Sequence, residues 1–253
     1  MKKNMFWSLM SVLMWFLAVG VPPGLAGEGS APVDMAQLRK MAAAGIAPAA
    51  FELGRCYEEG DRGLARDLTT ARKWYALAAE KGNAFAMNRL GVMYYQGLAG
   101  LAKDDKKALE LFEKSAELGT AVGQYFAGVV HLLGGPGIQA DPEKALGYFQ
   151  KSAAQGNPRG QDALGVMYYN GAGGLARDPV MAGEWYAKAA AQGDAEAMVH
   201  LASLYQQGVG VFRQDHDKAL ELYQEAAVKG NSEAQKMVSW YESRKKEGAP
   251  TAE

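Results

Sequence analysis

Apolar and small residues recur along this chain at helical spacing, in two alternating patterns separated by glycines. The first reads small residue, leucine, tyrosine at steps of four: Ala86, Leu90 and Tyr94 in one stretch, Gly160, Leu164 and Tyr168 in another. An i, i+4, i+8 series occupies one helical face, so each such stretch predicts an amphipathic helix. The second pattern is alanine, aromatic, alanine at the same spacing, as in Ala108, Phe112 and Ala116. It predicts a second helix with a narrow alanine face and one aromatic knob able to fill the groove between neighbouring units.

The two patterns return together. Gly82, Gly119, Gly156, Gly193 and Gly230 stand 37 residues apart without insertion or deletion, so five copies of one helix pair run over 46–82, 83–119, 120–156, 157–193 and 194–230. A unit of that size cannot bury its own apolar face and must stack on its neighbours, which predicts an all-α solenoid. A second glycine (Gly60, Gly97, Gly134, Gly171, Gly208) divides each copy between its helices. The residue after each leucine position is Gly54, Gly91, Gly128, Gly165 or Ala202. Glycine in mid-helix costs about 1 kcal/mol relative to alanine, and close approach of another helix is the expected compensation.

Residues shared by every copy read as architecture. Asp67, Asp104, Asp141, Asp178 and Asp215 precede the second helix, and proline follows two of them, which places the aspartate at the N-cap. The terminal glycines follow alanine-rich helix ends and read as left-handed stops. The glycine-rich loops 98–104 and 172–178 precede a helix but follow no strand, so they lack the context of a phosphate cradle. Their apolar residue (Leu64, Leu101, Ile138, Leu175, Phe212) reads as a plug into the core. Cys56, the single cysteine, shares its frame position with Met93, Val130, Met167 and Leu204 and reads as a small buried hydrophobe.

The ends obey the same frame. Residues 33–45 place Leu38 and Ala42 at positions of a second helix and predict an N-terminal capping helix. Residues 231–247 place Ala234 and Val238 in frame for a C-terminal capping helix with a charged, solvated end, and 248–253 are expected to be a disordered tail. Lys2 and Lys3, the apolar run Met5 to Val21, Pro22, Pro23 and Gly24-Leu25-Ala26 read as an export signal over 1–26, cleaved after Ala26 and followed by a linker over 27–32. The run is shorter than the roughly 20 residues a spanning helix needs, which disfavours the alternative of a retained anchor. Periplasmic or secreted location follows as an expectation, with no stable membrane insertion after cleavage.

Removing residues 1–26 leaves 25 basic against 28 acidic residues, a net charge of −3. That near balance gives no electrostatic reason to expect nucleic acid as a partner. His131, His200 and His216 occupy unrelated frame positions, and no His/Glu pair has metal-ligand spacing. No metal, no cofactor and no catalytic residue is therefore expected, and a hydrolytic enzyme is the weakest reading. His131 stands at a core-tyrosine position, which suggests a core histidine with a partner.

The pattern Ala-x-x-x-Leu-Gly-x-x-Tyr-x-x-Gly, a glycine-rich loop ending in Asp, then Lys-Ala-x-x-x-Tyr-x-x-Ala-Ala-x-x-Gly, resembles the Sel-one-like repeat family, relatives of tetratricopeptide repeats. Residues 86–119 and 194–230 show it well. Repeat three departs most, with Ala127 for leucine, His131 for tyrosine and Leu132-Leu133 before its glycine. The resemblance implies a right-handed α-solenoid acting as adaptor or scaffold, without common catalytic residues.

By analogy with tetratricopeptide arrays, the first helices would line a concave groove, and the positions that vary between copies would face it. These are Phe51, Arg55 and Glu58; Asn88, Val92 and Tyr95; Tyr125, Val129 and Leu132; Asp162, Val166 and Tyr169; Val199, Ser203 and Gln206. Each trio is spaced i, i+4, i+7 and forms one stripe. About half of the valines are expected to lie partly between adjacent first helices, while the tyrosines have the stronger claim to a partner. The groove is expected to hold a peptide or helix of a partner protein. An aromatic, hydroxyl-bearing groove could alternatively bind cell-wall glycan.

Overall fold

The computed structural model describes residues 34–209 and 211–247. The expected signal, linker and tail lie outside them. The chain divides into two compact units, Met1–Gln37 and Leu38–Glu253. In the first, the described residues begin helix α1 (Met35–Ala43), which continues into the second with Leu38 and Ala42 buried.

The second unit carries the repeats. Their helix pairs are α2 (Ala47–Glu59) and α3 (Leu68–Glu80), α4 (Ala84–Gln96) and α5 (Asp105–Glu117), α6 (Ala121–Leu133) and α7 (Pro142–Ala154), α8 (Pro158–Asn170) and α9 (Pro179–Ala191), α10 (Ala195–Gln207) and α11 (His216–Val228). Helix α12 (Ser232–Glu247) follows. Each helix from α2 onward packs on its successor, which makes the unit an all-α repeat solenoid. First helices of adjacent repeats also approach one another: α4 meets α6, α6 meets α8, and α8 meets α10. The second helices of adjacent repeats do not approach to the same degree, so the first helices form the tighter side of the stack.

The helix ends show why the period is rigid. All five aspartates cap the second helices; Asp178, for example, accepts from the backbone N–H groups of Val180 and Met181. Each aspartate's own N–H also donates to the carbonyl of the tyrosine-position residue in the first helix, as Asp104 does to Tyr94 at 2.9 Å. Loop length and helix spacing are thereby locked together. Gly119 has φ +84° and stops the second helix as a left-handed residue. Asn83, Thr120, Asn157, Asp194 and Asn231 then cap the following first helix through their side-chain oxygens, a role the sequence pattern did not suggest.

The mid-helix glycines are seats for the aromatic knobs. A Cβ on Gly91 or Gly128 would lie 2.6 Å from Cε1 of Phe112 or Phe149, the ring from the same repeat's second helix. The knob therefore first fills a groove within its own repeat, and only its far side meets the next unit: Phe112 lies 4.9 Å from Phe126, ring centre to ring centre. Repeat three ends its first helix differently, since Gly134 has φ 66° and ψ −166° and its loop closes on a Gly135–Ile138 bridge. Cys56 is fully buried. Among the described residues no helix is long and apolar enough to cross a membrane.

Candidate functional site

The expected groove residues divide into two groups. Asn88, Val92, Tyr125, Val129, Asp162 and Val166 are buried. This corrects the expectation that Asn88, Tyr125 and Asp162 face outward, and extends to all the valines, Val199 included, the burial expected of about half of them. Tyr125 is only 4% exposed, its ring packed 5.2 Å from Phe126 and 6.1 Å from Phe149. The reason is the close approach of neighbouring first helices, which turns the stripe meant to line a groove into the seam between repeats. Burial accordingly pushes the Tyr125 phenol above its ordinary range.

Phe51, Arg55, Tyr95, Leu132 and Tyr169 remain partly exposed. Arg55 is held by Glu52 at 2.8 Å and by Glu59, so its charge is spent within its own helix. Phe51 sits between Tyr75 and Phe85, ring centres 5.7 and 6.0 Å away. Tyr95, Leu132 and Tyr169 occupy the same frame position near the ends of α4, α6 and α8, and so form a row across the three middle repeats. Lys103 lies over the Tyr95 ring at 5.1 Å and Arg177 over the Tyr169 ring at 5.2 Å, both from the loop that follows the helix.

The same frame position is polar in the outer repeats, for a visible reason. Glu58 accepts a hydrogen bond from the Tyr75 hydroxyl and lies 3.6 Å from Arg89 of the next repeat. Gln206 accepts from the Tyr223 hydroxyl at 3.0 Å. Repeats two and three carry Phe112 and Phe149 in place of that tyrosine, so no hydroxyl reaches the position and an apolar side chain can stand there, whereas repeat four keeps Tyr186 and has Tyr169, with a hydroxyl of its own, at the position. The row of large apolar or amphipathic side chains spans the three central repeats.

Two histidines have partners across repeats. His131 Nε2 lies 2.8 Å from Glu113 Oε1, which also accepts from Lys144 Nζ at 2.9 Å, and its ring stacks on Tyr148 at 5.6 Å. It is the partnered core histidine that the sequence suggested. His200 Nδ1 lies 2.7 Å from Asp162 Oδ1, a contact the sequence reading missed because it compared histidines only at equal frame positions. The signal was a separation of 38 residues, one more than the period. Among the described residues, no group of three His, Cys, Asp or Glu side chains is placed to hold a metal ion.

A family model described as Sel1 repeat matches residues 47–83, 84–120, 121–157, 158–194 and 195–231, one residue later than the frame set by the glycines. The chain belongs to the Sel1 repeat family. A solved Sel1 repeat protein from Oxalobacter formigenes is 32% identical with a TM-score of 0.72, over 81% of this chain and 80% of that one. A protective antigen present in uropathogenic Escherichia coli strains, displaying an SLR fold, is 35% identical with a TM-score of 0.66. The match covers 81% of this chain but only 43% of the antigen. An immunity protein from Pseudomonas aeruginosa is similar at 25% identity and a TM-score of 0.53, over 81% of this chain and 70% of its own. No curated protein gives a significant match. Sel1 repeat proteins are generally non-catalytic scaffolds that bind protein partners.

Proposed function

We propose that this Sel1 repeat protein is an exported scaffold that holds a peptide or helix of a partner protein against the tighter side of its solenoid. The observation that carries the reading is the row Tyr95, Leu132 and Tyr169. These are large apolar or amphipathic side chains, left partly exposed at one frame position of three adjacent first helices. Aromatic anchors flanked by cations are the groups that dominate protein interfaces. The buried members of the stripe, Tyr125 and the three valines, support the row by fixing the spacing of the helices that carry it. Export rests on the charged, apolar and small-residue order of residues 1–26.

The variant Tyr95→Ala, Leu132→Ala, Tyr169→Ala tests the binding surface. Affinity purification from the native envelope is expected to recover at least about tenfold less partner with it, at an unchanged helical content. Equal recovery by a folded variant would remove this surface from consideration. Export has its own test: mass spectrometry of the mature protein from the envelope fraction is expected to find Gly27 as the first residue.

A further inference from the structure

A cluster of titratable groups lies at the C-terminal end of the stack, beside Tyr169 of the aromatic row. The 2.7 Å contact of His200 with Asp162 joins repeat five to repeat four, with both side chains largely buried. Asn231, the cap of α12, donates from Nδ2 to Glu196 Oε1 at 2.9 Å and joins repeat five to the capping helix. Facing His200 are Asp162 of α8 and the Tyr186 ring of α9 with its centre 4.9 Å away, while Arg159 of α8 acts on Asp194. Asp194 and Glu196 stand at the start of α10 itself, and Glu233 comes from α12. The Tyr125 phenol of α6 feels the charges of Arg159, Asp162, Asp194 and Glu196, and Tyr169 of α8 acts on Tyr186. Helix α11 adds Leu222 and Tyr223 to the shared core on the other side of α10. Four carboxyl groups thus share this region with the Arg159 guanidinium, the His200 imidazole and the Lys229 ammonium, whose Nζ lies beside Gly193 at the start of α10.

We propose that this cluster is a pH-responsive clasp on repeats four and five and the capping helix, closed while His200 carries its proton and released as the pH rises. Burial by itself would discharge His200, but Asp162, with Glu196 and Glu233, outweighs it and lifts the imidazole to about 9. Burial also pushes the Glu196 carboxyl up to about 7, with Asp162, Asp194 and Glu233 acting in the same direction and His200 against it. Burial raises Asp194 as well. All three groups hold protons more tightly when folded than when unfolded, so folding is favoured where they are protonated. The His200 contribution is complete below its unfolded value of 6.5 and is lost as the pH climbs through about 9. The Glu196 contribution declines earlier, between 4.5 and about 7. Above that range Asp162, Asp194, Glu196 and Glu233 repel one another, an effect that Arg159 and the Lys229 ammonium beside Gly193 offset in part. An ordinary carboxylate ion pair has the opposite sign and loosens in acid.

Hydrogen exchange of the whole chain, corrected for the intrinsic effect of pH, reads the clasp directly. Between about pH 6 and about pH 9, α10 and α12 are expected to lose on the order of tenfold protection relative to α2 and α4. Glu196→Gln keeps an acceptor for Asn231 and is expected to abolish the part of this loss that occurs near neutrality. His200→Gln is expected to abolish the part above it. Wild type and both variants sharing one pH dependence would overturn the proposal. So would an NMR titration of His200 in the wild-type chain that places the imidazole at or below 6.5, a measurement that stands even if His200→Gln fails to fold.

Discussion

Gly128 and Phe149 show how a single atom sets the geometry of a repeat. A Cβ at Gly128 would stand 2.6 Å from Phe149 Cε1, and the ring is fully buried, so it has nowhere to retreat. Gly128→Ala trades a gain in helix propensity of about 1 kcal/mol for overpacking of about 1–3 kcal/mol. A lower denaturant midpoint with an unchanged slope is the expected result. Ala202 already stands at the equivalent position of repeat five. The small-residue rule was therefore legible from five aligned positions. What each glycine faces was not, because a contact between helices has no trace in the residue that leaves room for it. The same limit applies to Glu58, whose partners Tyr75 and Arg89 lie in two other helices.

At the level of the helix, the caps carry local stability. Asp178 accepts from two backbone N–H groups at 3.0 Å each, and Pro179 begins the helix it caps. Asp178→Ala is expected to cost about 1 kcal/mol, while Asp178→Asn should retain most of the cap; thermal unfolding of the two variants side by side checks this. Asparagine, threonine or aspartate at the start of α4, α6, α8, α10 and α12 does the same work, while α2 starts after Ile46 with no side-chain cap. The periodic reading passed over these caps. Asn83, Thr120, Asn157, Asp194 and Asn231 differ in type, and a search for identical residues overlooks a function that several side chains can supply. Exposure along the first helices was also misjudged. An i, i+4, i+7 stripe defines a face, but only the neighbouring helices decide whether that face meets solvent or the next repeat.

Across the whole molecule, stability is a sum of units and the contacts between neighbours. The central helices α6, α7 and α8 have a repeat on both sides, whereas α2 and α12 stand near the ends. Amide exchange is accordingly expected to be slowest in α6 to α8 and to quicken toward α2 and α12. Equal protection throughout would mean that the array unfolds as one cooperative block. The polar cluster at His200 would then transmit its pH response to every repeat rather than to the last two.

The period of 37 residues, read from glycines, alanines and aromatics, was enough to determine an all-α solenoid of helix pairs and the frame of every repeat. It could do so because helix spacing, caps and stops are local properties written into each copy. The identity of the exposed surface was decided only in three dimensions. Tyr125 sank into a seam, Tyr95, Leu132 and Tyr169 stayed in reach of solvent, and Asp162 met His200 across a repeat boundary. These outcomes depend on how closely successive first helices approach, a distance set by packing between units that no single repeat contains.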